Sequence, residues 1–440
     1  MREMKDSGIA WIGEIPKNWK IKKIKNVICN DKDGLKIGPF GSALANKTIA
    51  DGAYNIYGQA NLVNDDFSCT KNTINKNTFH ILKSYQVLPN DICLSMMGTI
   101  GKCKTVPVGI KEGIMDSHLI KIRLDKTQII SKFFEYVYDK DLSNICITEM
   151  QYVKNGSIMD GLNTSIVKNL RIVVPPVLDQ QAIVAFLDAK CADIDSLVED
   201  IQKQIEILKK YKKSVITQAI TKGIDPNVEM KETVSPYWNE IPKKWYLSDI
   251  KYIFKIVKRI AGKEGYDILS VTQKGLKIKD VSHNEGQIAE NYKGYQFVYP
   301  GDFVMNHMDL LTGWVDLSKL FGVTSPDYRV FKLRDNHVNE ARYYKYVMQC
   351  CYSCRIFYSL GQGVSTLGRW RLQTSAFNNF LIPVPPITEQ KVIADFLDSK
   401  CADIDAAIAG KQKQLDVLKE YKKSLIYEYV TGKKEVPCRE

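Results

Sequence analysis

LDAKCADID at residues 187–195 returns as LDSKCADID at residues 397–405. The likeness spreads outward: PPVLDQQAIVAFLDAKCADIDSLVEDIQKQIEILKKYKKSVI (175–216) aligns without gaps on PPITEQKVIADFLDSKCADIDAAIAGKQKQLDVLKEYKKSLI (385–426), with about half the positions identical. A shorter likeness links WIGEIPKNW at 11–19 with YWNEIPKKW at 237–245, and a fainter one links VLPNDICLSMM at 87–97 with VYPGDFVMNHM at 298–308. The chain therefore reads as one unit written twice: an EIPKxW opening, a variable body, a Pro-Pro hinge and a long Lys/Leu/Ile-rich segment. Two copies at so long a period mean a duplicated domain, not a solenoid.

The repeated segments are predicted helices. Pro175-Pro176 and Pro385-Pro386 block helix upstream, and Gly223 and Gly432 stand where the pattern stops. Apolar residues recur at three- and four-residue spacing: Ile194, Val198, Ile201, Ile205, Leu208, Tyr211 and Val215, then Ile404, Ile408, Leu415, Leu418, Tyr421 and Leu425. About 40 residues at ~1.5 Å each make a rod near 60 Å. The economical arrangement packs helix one against helix two as an antiparallel pair, with homodimerisation as the other use of the stripe. Lys411 takes the seam place that Ile201 holds in the first copy, either fixing register or snorkelling to solvent.

The bodies, about 28–174 and 255–384, alternate short β-type runs with Gly, Asn, Asp and Pro turns. Helical stretches such as SKFFEYVYD and EARYYKYVMQCC interrupt them, so each body reads as mixed α/β. Outside the PxD echo they hardly align. A duplicated frame around diverged bodies suits a protein that reads two different things.

Length and composition fit this. A 440-residue chain calls for two or three domains, and 45% hydrophobic with 25% charged residues is ordinary for a globular protein. No apolar run is long enough for a membrane span, and MREMKDSGIAWIGEIP lacks a signal-peptide core, so a cytoplasmic chain is expected. Eleven cysteines, an odd number without scaffold spacing, suit a reducing compartment. The net charge of +12 favours a polyanionic partner such as nucleic acid, or marks an inert basic surface.

The order EIPKxW, body, PPxxxQxxIxxFLDxKCADID, KxxQxxxLKxYKKS, then the whole again, resembles the specificity (S) subunit of a Type I restriction–modification system, over essentially the entire chain. Asp179 in place of the second copy's Glu389 is a mild departure. The resemblance implies an α+β (mixed) fold: two α/β target recognition domains separated by two long antiparallel coiled-coil helices, with a pseudo-twofold internal repeat. Its domains would be recognition domain one at 1–178, long helix one as spacer at 179–224, recognition domain two at 225–388, and long helix two with the tail at 389–440. It further implies a non-catalytic subunit that recognises a bipartite, asymmetric double-stranded DNA target. Two methyltransferase (modification) subunits would dock on it for adenine methylation, and restriction/motor subunits would join for cleavage. S-adenosylmethionine, ATP and Mg would belong to those partners, and this chain would hold no cofactor and no metal.

Candidate DNA-reading residues lie in the bodies. In the second, GQGVSTLGRWRLQTS (361–375) offers Ser365, Arg369 and Arg371 around Trp370, and SVTQKGLKIK (270–279) offers Gln273, Lys274 and Lys277. Arginine suits bidentate contact with guanine, and glycines allow close approach to the backbone. In the first, Gln59 and Asn61, Lys102 and Lys104 after the GTIG turn, and Gln151, Lys154 and Asn163 before the hinge are the counterparts. Ordinary solvated loop side chains are the competing reading of each.

Rival chemistries fail on residue type. GTIGK at 98–102 has Met96 where a phosphate loop needs Gly, and Cys103 where it needs Ser or Thr. CYSC at 351–354 lacks a second pair or a histidine for zinc, so reduced helix-borne cysteines are expected. Cys191 and Cys401 read as buried small hydrophobes, and His118 and His307 have no partner identifiable in sequence. VVPPVL and PVPPIT lack the polar head and aromatic of a base-flipping methyltransferase loop. Asp193/Asp195 and Asp403/Asp405 sit two apart on a helix and face different ways, which suits solvated or subunit-contacting surface better than a nuclease metal site. A coiled-coil adaptor that binds no DNA remains the alternative, with an enzyme in its own right behind it.

Overall fold

The computed structural model describes residues 2–44, 47–68, 70–143, 145, 147–149, 162–280, 291–363 and 370–437. The chain divides into two compact units, Met1–Ile201 with Lys413–Glu440, and Gln202–Gln412. The division cuts both long helices, so each unit owns part of each. In chain order the principal helices are α1 (Gln59–Asn64), α2 (Ser131–Tyr138), α3 (Thr164–Asn169), α4 (Val177–Lys222), α5 (Ala341–Ser353) and α6 (Ile387–Val430).

In the first unit, β1 (Leu35–Ile37), β2 (Ile92–Ser95), β3 (Cys103–Thr105) and β4 (Leu119–Ile122) form an antiparallel sheet in the order β1-β4-β2-β3. The second unit repeats this threading. Its strands β5 (Phe254–Val257), β8 (Phe303–Met305), β9 (Val315–Leu317) and β10 (Arg329–Leu333) run β5-β10-β8-β9. Between β5 and β8 comes a hairpin of β6 (Leu269–Thr272) and β7 (Gly275–Ile278). Bodies that hardly align in sequence thus share a sheet. The PxD echo falls at the turn leading into β2 and β8, where the topology is the same. The bodies part company elsewhere: the first adds a three-stranded sheet, Thr73–Ile74, Tyr54–Tyr57 and Gly113–Met115, the last pair parallel. The second has the β6–β7 hairpin and a Gln296–Val298/Gly322–Thr324 ladder instead.

Repeated residues fasten each body to its helices. Gln180 and Gln390 are wholly buried. Gln180 accepts from Ile130 N (2.8 Å) and donates to Gln128 O and Pro175 O (2.8 Å each). Gln390 accepts from Glu340 N (2.8 Å) and donates to Pro385 O (2.8 Å) and Val338 O (3.4 Å). A buried amide with every partner supplied fixes the hinge geometry, because any other angle leaves a donor orphaned. In LDxKCADID, Leu187 and Leu397 enter the two cores, and Cys191 and Cys401 are buried beside them. Asp188 and Asp398 each accept from a body tyrosine at 2.6 Å, Tyr136 and Tyr346.

Within each unit the helix segments run antiparallel. In the first, Phe186 packs on Tyr429 with ring centroids 4.5 Å apart, and Asp195 meets Lys422 at 2.7 Å. In the second, Gln204 accepts from Lys411, and Lys212 meets Asp405 at 2.6 Å. Lys411 therefore contacts the facing helix. Ile194, Ile205, Ile404, Leu415 and Leu425 are buried, while Val198, Ile201, Leu208, Val215, Ile408 and Leu418 are half-buried, as a two-helix seam allows. One expectation needs correcting. Tyr211 and Tyr421 are 48% and 54% exposed. The three-four alternation from Leu208 and Leu418 lands on Lys212 and Lys422, whose stems are half-buried and whose ammonium groups reach the aspartates opposite. Each tyrosine sits one residue off the seam.

Gly223 and Gly432 end the helices at φ of +77° and +75°, the left-handed cap that glycine adopts without strain. Each lies against the tryptophan of an EIPKxW motif. A Cβ on Gly432 would come within 2.8 Å of Trp19, and one on Gly223 within 3.5 Å of Trp245.

Candidate nucleic-acid interface

The PxD echo marks the same lock in both bodies. Asp91 and Asp302 are buried, and each accepts the backbone N–H three residues before it, from Leu88 and Tyr299, at 2.9 Å. Each also receives a forked guanidinium. Arg123 reaches Asp91 at 2.8 and 2.9 Å, and Arg259 reaches Asp302 at 2.6 and 3.2 Å. The arginines come from different places, one after β4 and one after β5, so the carboxylate is duplicated and its partner is not. The echo is structural and frames the segments that differ.

In the first body the candidates Gln59, Asn61, Lys102 and Lys104 gather around α1 and the β2–β3 hairpin. Gln59 donates to Met97 O (3.0 Å) and to the Thr99 hydroxyl, which pins the start of α1 to the GTIG turn. Asn61 is buried as the capping residue of α1, accepting from Gly58 N at 2.9 Å and donating to Asp66 O at 2.8 Å. Lys102 lies between Asp141 (2.7 Å) and Asp139 (3.4 Å), and Lys104 between Asp65 (2.6 Å) and Glu135 (3.4 Å). Burial raises the Asp139 carboxyl, which Lys102 opposes. Both lysines are thus engaged within the body, and the lysine of GTIGK is turned onto carboxylates. Asn163 caps α3, accepting from Ile166 N at 2.9 Å, and is exposed. Gln151 and Lys154 lie outside the described residues.

In the second body Gln273 and Lys274 form the two-residue turn of the β6–β7 hairpin and, like Lys277 on β7, are exposed. Gly275 takes φ +102°, and its neighbour Leu276 donates its N–H to Asp316 at 2.9 Å. Gln349 of α5 donates to the other Asp316 oxygen at 3.3 Å. The hairpin tip and the long-helix segments of this unit border a cavity of about 870 Å³, where Gln273 and Lys274 join Lys209, Lys212, Lys213 and Lys345. Of these, Lys212 is paired with Asp405 and Lys345 with Asp398, while Lys274 is exposed at the hairpin tip. Asp316, which positions the hairpin, carried no signal in the sequence, because its partner lies 40 residues away.

Arg371 is exposed, and it exchanges backbone hydrogen bonds of 3.0 Å with Gln362. Beside it the Trp370 ring lies so close to Gly363 that a Cβ there would come within 2.9 Å. Beneath, Arg329 is 5% exposed, donates to Leu372 O at 3.1 Å and to the Thr374 hydroxyl at 3.3 Å, and lies 4.5 Å over the Phe377 ring. Burial lowers its guanidinium to about 10. His307 accepts Leu372 N through its backbone carbonyl at 2.9 Å. Burial, then Arg329 and Arg371, hold its imidazole down to about 3, so it is neutral at pH 7. Ser365 and Arg369 lie outside the described residues.

Among the described residues no group of three or more His, Cys, Asp and Glu side chains could hold a metal ion, and no helix is long and apolar enough to cross a membrane. Comparison with known proteins gives one consistent answer. The sequence model of the Type I restriction modification DNA specificity domain matches residues 16–207 and again 242–417. The Type I restriction enzyme MjaVIII specificity subunit of Methanocaldococcus jannaschii is 25% identical over 338 residues, 73% of this chain and 75% of that one. A chain from a structural study of complex assembly and conformational transition of the type I R-M system superposes with a TM-score of 0.68 at 13% identity, covering 96% of this chain and 99% of that one. The HsdS subunit of Thermoanaerobacter tengcongensis gives 0.50 at 13%, over 96% and 98% of the two chains. With two matched domains on one duplicated frame, the chain belongs to the DNA-specificity subunits of Type I restriction–modification systems.

Proposed function

We propose that each unit reads one half of a bipartite, asymmetric DNA target and that the long helices set the distance between the halves. The observation that carries this reading is one frame built twice, with the Gln180/Gln390, Asp188/Asp398 and Asp91/Asp302 fastenings, around bodies that differ in their added strands and exposed segments. Half-site readers of a palindrome carry matched reading surfaces, so two unlike half-sites call for matched supports with unmatched reading surfaces. Exposed lysines and Arg371 would supply salt-sensitive phosphate contact, and exposed groups such as Gln273 would read base edges.

The chain performs no catalysis in this reading. Two modification subunits dock on the long helices and bring S-adenosylmethionine, and restriction/motor subunits bring ATP and Mg, all in the cytoplasm. Support for the docking is that Ile207 and Tyr211 on α4, and Val417 and Tyr421 on α6, are exposed at matching repeat positions. Exchanging residues 28–174 for the body of another specificity subunit tests the reading. Methylome sequencing should show one half of the methylated motif changed and the other half and the spacer kept. A change in both halves would overturn it.

A further inference from the structure

CYSC at 351–354 has CxxC spacing, but the structure brings a different pair together. Cys350 in the last turn of α5 and Cys354, the residue that caps its C-terminus, are i, i+4 partners on one face, with their sulfurs 3.5 Å apart. Cys351 is wholly buried on another side. The Thr217 hydroxyl of α4 lies 3.6 Å from the Cys350 sulfur and 3.9 Å from that of Cys354. Lys213, one turn earlier, holds the Ser353 carbonyl at 2.7 Å. Cys354 is half-exposed, and Cys350 lines the lysine-bordered cavity, so small solutes have a route to the pair.

We propose that Cys350 and Cys354 form an oxidisable dithiol that hydroperoxides convert to a disulfide. The nucleophile is Cys354. The thiol of Cys350, then the Thr217 hydroxyl and the Lys213 charge, hold Cys354 below the ordinary thiol range, while the same pairing and burial push Cys350 up. The Cys354 thiolate attacks one oxygen of hydrogen peroxide and the O–O bond breaks. The departing hydroxide takes up a proton and leaves as water, and Cys354 is left as a sulfenic acid. The Cys350 sulfur then attacks the Cys354 sulfur, the S–S bond forms and the S–O bond breaks. The second hydroxide leaves as water with the Cys350 proton. Two thiols lose two electrons, and one peroxide becomes two waters. Cα atoms one helical turn apart fall within disulfide reach, but Cβ atoms ~5–6 Å apart must close to ~4 Å, so the S–S bond forms only as the backbone at the end of α5 distorts. Oxidation therefore loosens the last turn of α5 from α4.

Peptide mapping of the full-length wild-type chain tests this without a variant. After stoichiometric hydrogen peroxide, the peptide holding both residues should be 2 Da lighter and resist alkylation at 350 and 354 alone, and hydrogen exchange over 213–217 should rise. Before oxidation, iodoacetamide at pH 6 should modify Cys354 at least ~10-fold faster than Cys29, which is half-exposed but has no thiol neighbour among the described residues. Cys354→Ser should abolish the link, and Cys351→Ser should leave it. A link through Cys351, or labelling of Cys354 no faster than Cys29, would overturn the proposal.

Discussion

The two units share fastenings that are satisfied alike at the hinge glutamines and helix aspartates but differ at the EIPKxW tryptophan. In the first, Trp19 donates its indole N–H to Asp179 at 3.1 Å, and Arg2 stands 3.6 Å from the same carboxylate. In the second, the equivalent Trp245 nitrogen is buried with no hydrogen-bond partner among the described residues. Its helix carries Glu389 at the matching position. Glu389 makes no bond to the indole like the one Asp179 makes to Trp19. Likewise Met96 and His307 occupy one position of the PxD echo, yet only the second titrates. Duplication copies a frame, and each copy then drifts wherever the frame tolerates it.

The sharpest test of the shared frame is the buried glutamine. Gln180→Ala and Gln390→Ala should each cost about 2–4 kcal/mol, since each orphans a backbone donor and leaves a void. Urea unfolding followed by hydrogen exchange should place each loss in its own unit, and the two losses should match. Unequal losses would break the equivalence of the hinges.

His307 gives the next effect. Its folded value of about 3 lies below the ordinary 6.5. A depressed base leaves the unfolded chain holding more protons, so its contribution is complete above pH 6.5 and falls as pH drops toward 3. The second unit should lose about 1–2 kcal/mol by pH 5 relative to pH 7, and His307→Met, which restores the first unit's residue, should remove that pH dependence. Hydrogen exchange at the two pH values would read it unit by unit.

The smallest effect separates the tryptophan sites. Asp179→Ala should destabilise the first unit by about 1 kcal/mol, while Glu389→Ala should leave the second nearly unchanged, because only the first removes a bond. Thermal shifts of the two variants would show the inequality, and equal shifts would mean the tryptophan bond contributes nothing.

Much of this frame was legible in the sequence because repetition converts a weak pattern into a strong one. LDAKCADID and its echo gave helix, seam and duplication through period alone. Hydrophobicity alone places Tyr211 and Tyr421 on the seam, yet both are exposed, because a two-helix seam accepts a lysine stem as readily as an aromatic ring. For the candidate residues, chemistry was legible and engagement was not. Lys102, Lys104 and Asn61 have the right chemistry for DNA, but Asp139, Asp141, Glu135 and the α1 cap claim them from distant parts of the chain. The common sheet of the two bodies left almost no trace, since short buried strands ask only for apolar residues and many sequences comply.

What the sequence by itself determined is the duplicated helical frame, because helix period, proline and glycine stops, and repeated capping and anchoring residues act over a few neighbours. What only the tertiary structure decided is which polar side chains remain exposed for a partner and what stands against the α5 thiols. Those outcomes depend on long-range neighbours: Asp316 holding a hairpin, and Thr217 of α4 beside Cys350 and Cys354. No local pattern encodes a partner 40 residues away.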